Sequence, residues 1–167
     1  DDIDDGSVEG ASSKTTMAHG LVWRLTTEGD RVLARPLSRA ELDARLDAVH
    51  RPYHQALASL LAEKKAKFGF AVLLAAHSMP SIARTQHGDA GRVRADVVPG
   101  TRGRTSAAPS FIDCVDGVAK AAGYSVRHDE PYRGGYSTIH YGKPKDSVHA
   151  VQVELAVRRF APPEIGG

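Results

Sequence analysis

Hydrophobic and polar positions divide the chain near residue 21. Residues 1–16 are acidic and then rich in Ser, Thr and Gly, with Ile3 and Val8 as their sizeable apolar side chains. Such a stretch cannot bury a core and reads as a flexible arm, with no initiator Met at position 1 and so the look of a processed or truncated product. Residues 17–167 read as a single domain. Leu21–Leu25 and Arg31–Ala34 flank a Gly-containing segment, the pattern of a β-hairpin. Ser38 followed by Glu41 is a capping box. Behind it Leu42, Leu46, Val49, Tyr53, Leu57 and Leu60 recur at helical spacing, which predicts a helix with one apolar face. Pro52 should kink or split that helix, and Gly69 should end it.

Phe70–Ala76 is an unbroken apolar run of strand length, the pattern of a central parallel strand buried on both faces. It ends in His77-Ser78-Met79-Pro80. Residues 81–105 read as a long loop with a short strand at 95–98. A second helix is expected at 107–122, capped by Ser106 or Thr105, stopped by Gly123, with Phe111, Val115, Val118 and Ala122 inward and Cys114 packed within it. Tyr124–Val126 should begin a strand, Pro131–Tyr136 a turn, and Ser137–Tyr141 a further strand. Ala150–Val157 is a β-branched strand with Glu154 embedded in it. Strands alternating with helices in this way predict an α/β fold, a mixed, largely parallel sheet flanked by helices.

Composition narrows the function classes. The 167 residues carry 41% hydrophobic and 25% charged side chains, the balance of a globular protein. Twenty-two basic against 20 acidic residues leave +2, which argues against a nucleic-acid binder. Basic residues gather locally between Arg84 and Arg104, either as a solvated loop or as an anion-binding wall. One cysteine, Cys114, excludes an internal disulfide and fits a reducing compartment. No segment approaches the roughly 20 apolar residues of a membrane span, and no signal peptide opens the chain, so a cytoplasmic location is expected.

Four features carry chemistry. His77 closes a strand at the sheet's carboxyl end, where ligands bind in open α/β sheets. Glu154 lies in an apolar strand and is either half-exposed or a cleft carboxylate able to act as a base. Alternation along that strand, with Gln152 and Glu154 sharing one face, slightly favours half-exposure. Arg133 precedes Gly134-Gly135, where the backbone can approach a ligand and a guanidinium can hold a carboxylate. His149 is a neighbouring-shell group or a plain strand-opening residue. Nucleotide-binding glycine motifs, His-Glu-x-x-His and Gly-x-Ser-x-Gly are absent from the sequence.

In order, Arg51-Pro52-Tyr53-His54-x-Ala56-Leu57, the apolar strand with His77-Ser78-Met79-Pro80, Pro131-Tyr132-x-Gly134-Gly135 and His149-Ala150-x-Gln152-x-Glu154 together resemble the N-formylglutamate amidohydrolase family, from about Gly6 to Phe160. That family is similar in fold to zinc carboxypeptidases and succinylglutamate desuccinylases. The resemblance implies a zinc-exopeptidase-like sheet whose first part is missing here. It implies His77 as a zinc ligand, Glu154 as the carboxylate that activates water, and an arginine with Gly134 and Gly135 at the substrate; Arg133 is the first candidate for that anchor, and Arg104 or Arg102 of the basic loop competes with it. The expected cofactor is Zn2+ and the expected substrate a small N-acyl amino acid, first of all N-formylglutamate. The chain departs from the family in lacking its N-terminal Pro-His-Ser-Gly-like segment, in having Ala75 where an Asp is usual, and in placing Asp129-Glu130 where an Asn precedes the Pro-Tyr turn. An inactive carboxylate-binding module, and a fragment that assembles with a separate N-terminal piece or a second copy, stay open beside the enzyme.

Overall fold

A computed structural model describes residues 22–160 apart from 24, 27, 28 and 86. It forms two compact units, Asp1–Leu57 and Ala58–Gly167. The expected domain at 17–167 spans both, and the expected arm at 1–16 lies outside the described residues.

In the first unit the expected hairpin keeps an antiparallel bridge, Leu25 to Arg31, around a turn closed by Thr26 N–H on Asp30 O at 2.8 Å. Helix α1 (Arg39–Arg45) opens with the capping box: Ser38 Oγ accepts from Glu41 N–H, and the Glu41 carboxylate accepts from Ser38 N–H at 2.8 Å. Residues Leu46–His50 then widen into one π-helical turn before α2 (Arg51–Phe68), where Arg51 N–H reaches back to Leu46 O. Pro52 explains the change. It has no N–H for the carbonyl four residues back and its ring crowds that carbonyl, so the turn expands instead of breaking. Gly69, at φ 81°, stops α2 by donating to Lys65 O at 2.8 Å. The expected apolar face is buried at Leu42, whereas Val49, Tyr53 and Leu60 are exposed.

The second unit is built on a three-stranded sheet of order β1-β3-β2, with β1 Ala71–Met79, β2 Val97–Gly100 and β3 Val148–Ala156. β1 runs parallel to β3 and β2 antiparallel, so the sheet is mixed. Among the described residues the expected central strand lies at one edge. β1 pairs only with β3 among the described residues, and Val72 and Leu74 are exposed. An apolar run marks a strand suited to burial, but it does not say which neighbours are present to bury it. The strand bonded on both sides is β3, and this corrects the reading of Glu154 as half-exposed: Gln152 and Glu154 are both buried.

Helix α3 (Pro109–Ala121) covers the β3 face that carries Val151 and Val153, through Ile112, Phe111 and Val115. Neither expected hydroxyl caps it. Ser106 Oγ donates instead to Ala150 O at 2.7 Å, and the N–H of Ala108, at the N-cap, is taken by His149 Nδ1 at 3.2 Å. Val118 and Cys114 face solvent, contrary to the expected packing, because the buried stripe runs through Ile112 and Ala119. Gly123 ends this helix at φ 79° as expected, and the strand expected at Tyr124–Val126 is one bridge, Val97 to Val126. Residues expected as a strand at 137–141 form helix α4 (Tyr136–Tyr141). Thr138 and Ile139 favour strand intrinsically, but Thr138 Oγ1 donates to Gly135 O at 2.7 Å and Gly142 N–H to Thr138 O at 3.1 Å, which closes the turns locally.

Candidate functional site

The parallel register sets His77 of β1 directly beside Glu154 of β3, two residues from the carboxyl end of each strand. His77 Nδ1 lies 3.9 Å from Glu154 Oε1. His77 is exposed, whereas Glu154 is 5% exposed. Burial pushes the Glu154 carboxyl above its ordinary value, opposed by His77, by a hydrogen bond from Gln152 and by the field of Arg94. Oε1 receives the Gln152 Nε2–H at 2.8 Å, and Oε2 accepts no hydrogen bond from the described residues. A carboxylate in this setting is poised to take a proton from a bound water.

Gln152 also reaches the other way, its Oε1 accepting from Gly135 N–H at 2.9 Å. The Gly134-Gly135 turn is thereby tied to Glu154. Gly134 is needed there: its φ is 93°, and a Cβ would sit 2.5 Å from Thr138 Oγ1 and 3.1 Å from Gly100 O. The approach is reciprocal, since a Cβ on Gly100 would meet Gly134 N at 2.5 Å. Arg133 is exposed, and no carboxylate pairs with its guanidinium among the described residues.

The loop after β2 crosses this turn. Arg102 N–H donates to Arg133 O at 3.0 Å and Arg102 Nη1 to Gly134 O at 3.2 Å. Arg102, Gly103 and Arg104 all have positive φ. Asp129 holds them so, accepting from Thr101 N–H at 2.7 Å, Thr101 Oγ1–H at 3.1 Å and Gly103 N–H at 2.8 Å. Arg104, expected at the substrate, is engaged elsewhere: its Nη2 pairs with Asp113 of α3 at 2.5 Å.

Beneath the carboxyl end of the sheet, Arg94 is buried, held bidentately by Asp89 at 2.9 Å on both oxygens, and donates to Tyr132 Oη at 3.1 Å. Asp96 is buried as well. It accepts from Ser125 N–H and Oγ–H at 2.9 and 2.7 Å, from Arg158 at 2.7 Å and from Arg159 at 2.5 Å. Sequence reasoning missed Arg94 and Asp96 as parts of this frame. Gln152 carried a signal, the face it shares with Glu154. His149 is a packing residue whose ring lies 4.5 Å from Phe111, and burial pushes its pKa down.

A model of the N-formylglutamate amidohydrolase family matches residues 6–160. The chain belongs to that family. Curated N-formylglutamate deformylases of Pseudomonas aeruginosa and Pseudomonas putida are 42% and 38% identical to it over 112 residues, 66% of this chain and 41% of theirs. The N-formylglutamate amidohydrolase of Ralstonia eutropha JMP134 superposes with a TM-score of 0.78 at 30% identity, over 93% of this chain and 58% of its own. The chain thus spans less than half the length of the curated family members it matches. No group of three or more His, Cys, Asp or Glu side chains able to hold a metal occurs among the described residues. His77 with Glu154 is therefore short of a closed zinc site, which needs three or four protein ligands. Among the described residues no helix is long and apolar enough to cross a membrane.

Proposed function

We propose that the protein hydrolyses the amide of an N-acyl amino acid, N-formyl-L-glutamate first, to formate and glutamate. The observation that carries this reading is the buried Glu154, set in register beside His77 at the carboxyl end of the sheet. Glu154 takes a proton from water through its free Oε2, and the water oxygen adds to the formyl carbon. The proton passes to the amide nitrogen as the C–N bond breaks. Gln152 keeps the carboxylate aimed, and Arg133 holds a substrate carboxylate beside the Gly134-Gly135 turn, where the absence of side chains lets the ligand reach the backbone. A zinc ion at His77 belongs to this reading with further ligands from outside the described residues. Proton NMR of N-formylglutamate incubated with the protein should show formate and glutamate appearing in equal amounts; unchanged substrate would refute the activity.

A second reading rests on β1. Its outer edge, unpaired among the described residues, and exposed Val72 and Leu74 suit pairing with another polypeptide, so the chain acts as one part of an assembled hydrolase. Formate release that appears only when a second polypeptide copurifies favours it over the self-sufficient enzyme.

A further inference from the structure

Most arginines of the second unit have an acidic partner: Arg92 and Arg127 pair with Glu130, Arg94 with Asp89, Arg104 with Asp113, and Arg158 with Asp96. Arg102 and Arg133 differ, since neither guanidinium meets a carboxylate among the described residues. Each side chain reaches the other's turn. Arg102 Nη1 rests on Gly134 O at 3.2 Å, while Arg133 Nη2 lies 3.9 Å from where a Cβ on Gly103 would stand. Two cations that each reach the other's turn, without a carboxylate partner among the described residues, offer charge for anionic oxygens.

Arg102 is also held in a backbone conformation that Gly would adopt at lower cost, φ 55°. The three hydrogen bonds on Asp129 over-determine that geometry. Residues in this conformation cluster at ligand sites, and the neighbouring Arg104 shares it at φ 63°. The same peptide group joins this arginine to the proposed base. The C=O of Gly134 accepts from Arg102, and the N–H of Gly135 donates to Gln152, which donates to Glu154.

We propose that Arg102 is a specificity residue: together with Arg133 it gives the site two cations, and it receives the side-chain carboxylate of a dicarboxylic N-acyl amino acid. This rests on the hydrolase reading for its substrate class, and of the two loop candidates it takes Arg102 rather than Arg104, which pairs with Asp113.

The test is calorimetric binding of N-formylglutamate and of N-formylglutamine, which lacks that carboxylate. Proteins carrying Glu154→Gln keep the ligands intact. With Arg102 present, the dicarboxylate should bind tighter by about tenfold or more, the worth of one charge-assisted pair. Arg102→Gly, which relieves the strained backbone and so should melt no lower, ought to abolish that preference. Arg104→Gln ought to keep it. A preference that survives Arg102→Gly, or one never seen with Arg102 present, overturns the assignment. Hydrolysis of N-formylglutamate alongside an Arg102-independent preference would remove this inference and leave the proposed function standing. A preference that depends on Arg102 in a protein without turnover would do the reverse.

Discussion

Replacing Asp96 by Asn tests how the carboxyl end of the sheet is held. The carboxylate is 3% exposed and accepts from Ser125 N–H and Oγ–H, Arg158 and Arg159. Asn keeps the shape, removes the charge and turns one acceptor into a donor that faces other donors. Breaking a buried charged cluster costs about 3–5 kcal/mol. The arginine side chains are 32% and 42% exposed and recover part of this in water, so the expected loss is about 2–4 kcal/mol. For a chain of this size that lowers Tm by roughly 5–15 °C. The pH dependence has a definite sign. Arg159, with Ser125 and Arg158, holds the Asp96 carboxyl well below its ordinary value. Its stabilisation is therefore complete above the unfolded value near pH 4 and declines as pH falls towards the folded one. Urea unfolding of both proteins should show a gap at pH 7 that has shrunk by about 1 kcal/mol at pH 3. A gap under 1 kcal/mol at pH 7, or one that stays constant down to pH 3, would refute the reasoning.

Other outcomes follow from the site. Gly134→Ala puts a methyl 2.5 Å from Thr138 Oγ1 at a φ of 93° and should cost about 2–4 kcal/mol in urea unfolding; a neutral substitution would show that the turn is not as tight as described. In the active protein Gln152→Met frees the Glu154 carboxylate and should lower kcat by up to about 100-fold with KM nearly unchanged, whereas a rise in KM alone would assign Gln152 to substrate binding. If zinc rests on His77 and Glu154 without ligands from outside the described residues, zinc added to the purified chain should be lost on dialysis. Stoichiometric metal by mass spectrometry after dialysis would contradict that.

Local signals in the sequence survive in the structure where a few adjacent residues decide the outcome. The Ser38–Glu41 box, the Gly69 and Gly123 stops and the widened turn before Pro52 need only their own segment. Non-local facts were illegible. Phe70–Ala76 looks like a central strand because its residues are apolar, yet among the described residues the strand with a neighbour on each side is β3, between β1 and β2. That single difference buries Glu154, which alternation alone had left half-exposed. Helix α4 replaced a strand through side-chain and backbone bonds at Thr138 that propensity does not weigh. His77 and Glu154 were legible together only through the family resemblance, since they are 77 positions apart and meet by strand register. Arg104 and Arg102 were indistinguishable until Asp113 claimed one of them.

The proposed hydrolysis stands on Glu154 as its base. The most direct measurement is formate release from N-formylglutamate by the wild-type protein and by Glu154→Gln, followed by NMR at matched concentration. The neutral amide keeps the size of the side chain and its acceptor for Gln152 but cannot take a proton. The rate should fall by about 100-fold or more, with the folded protein melting within a few degrees of wild type. Turnover undiminished by the substitution would contradict it.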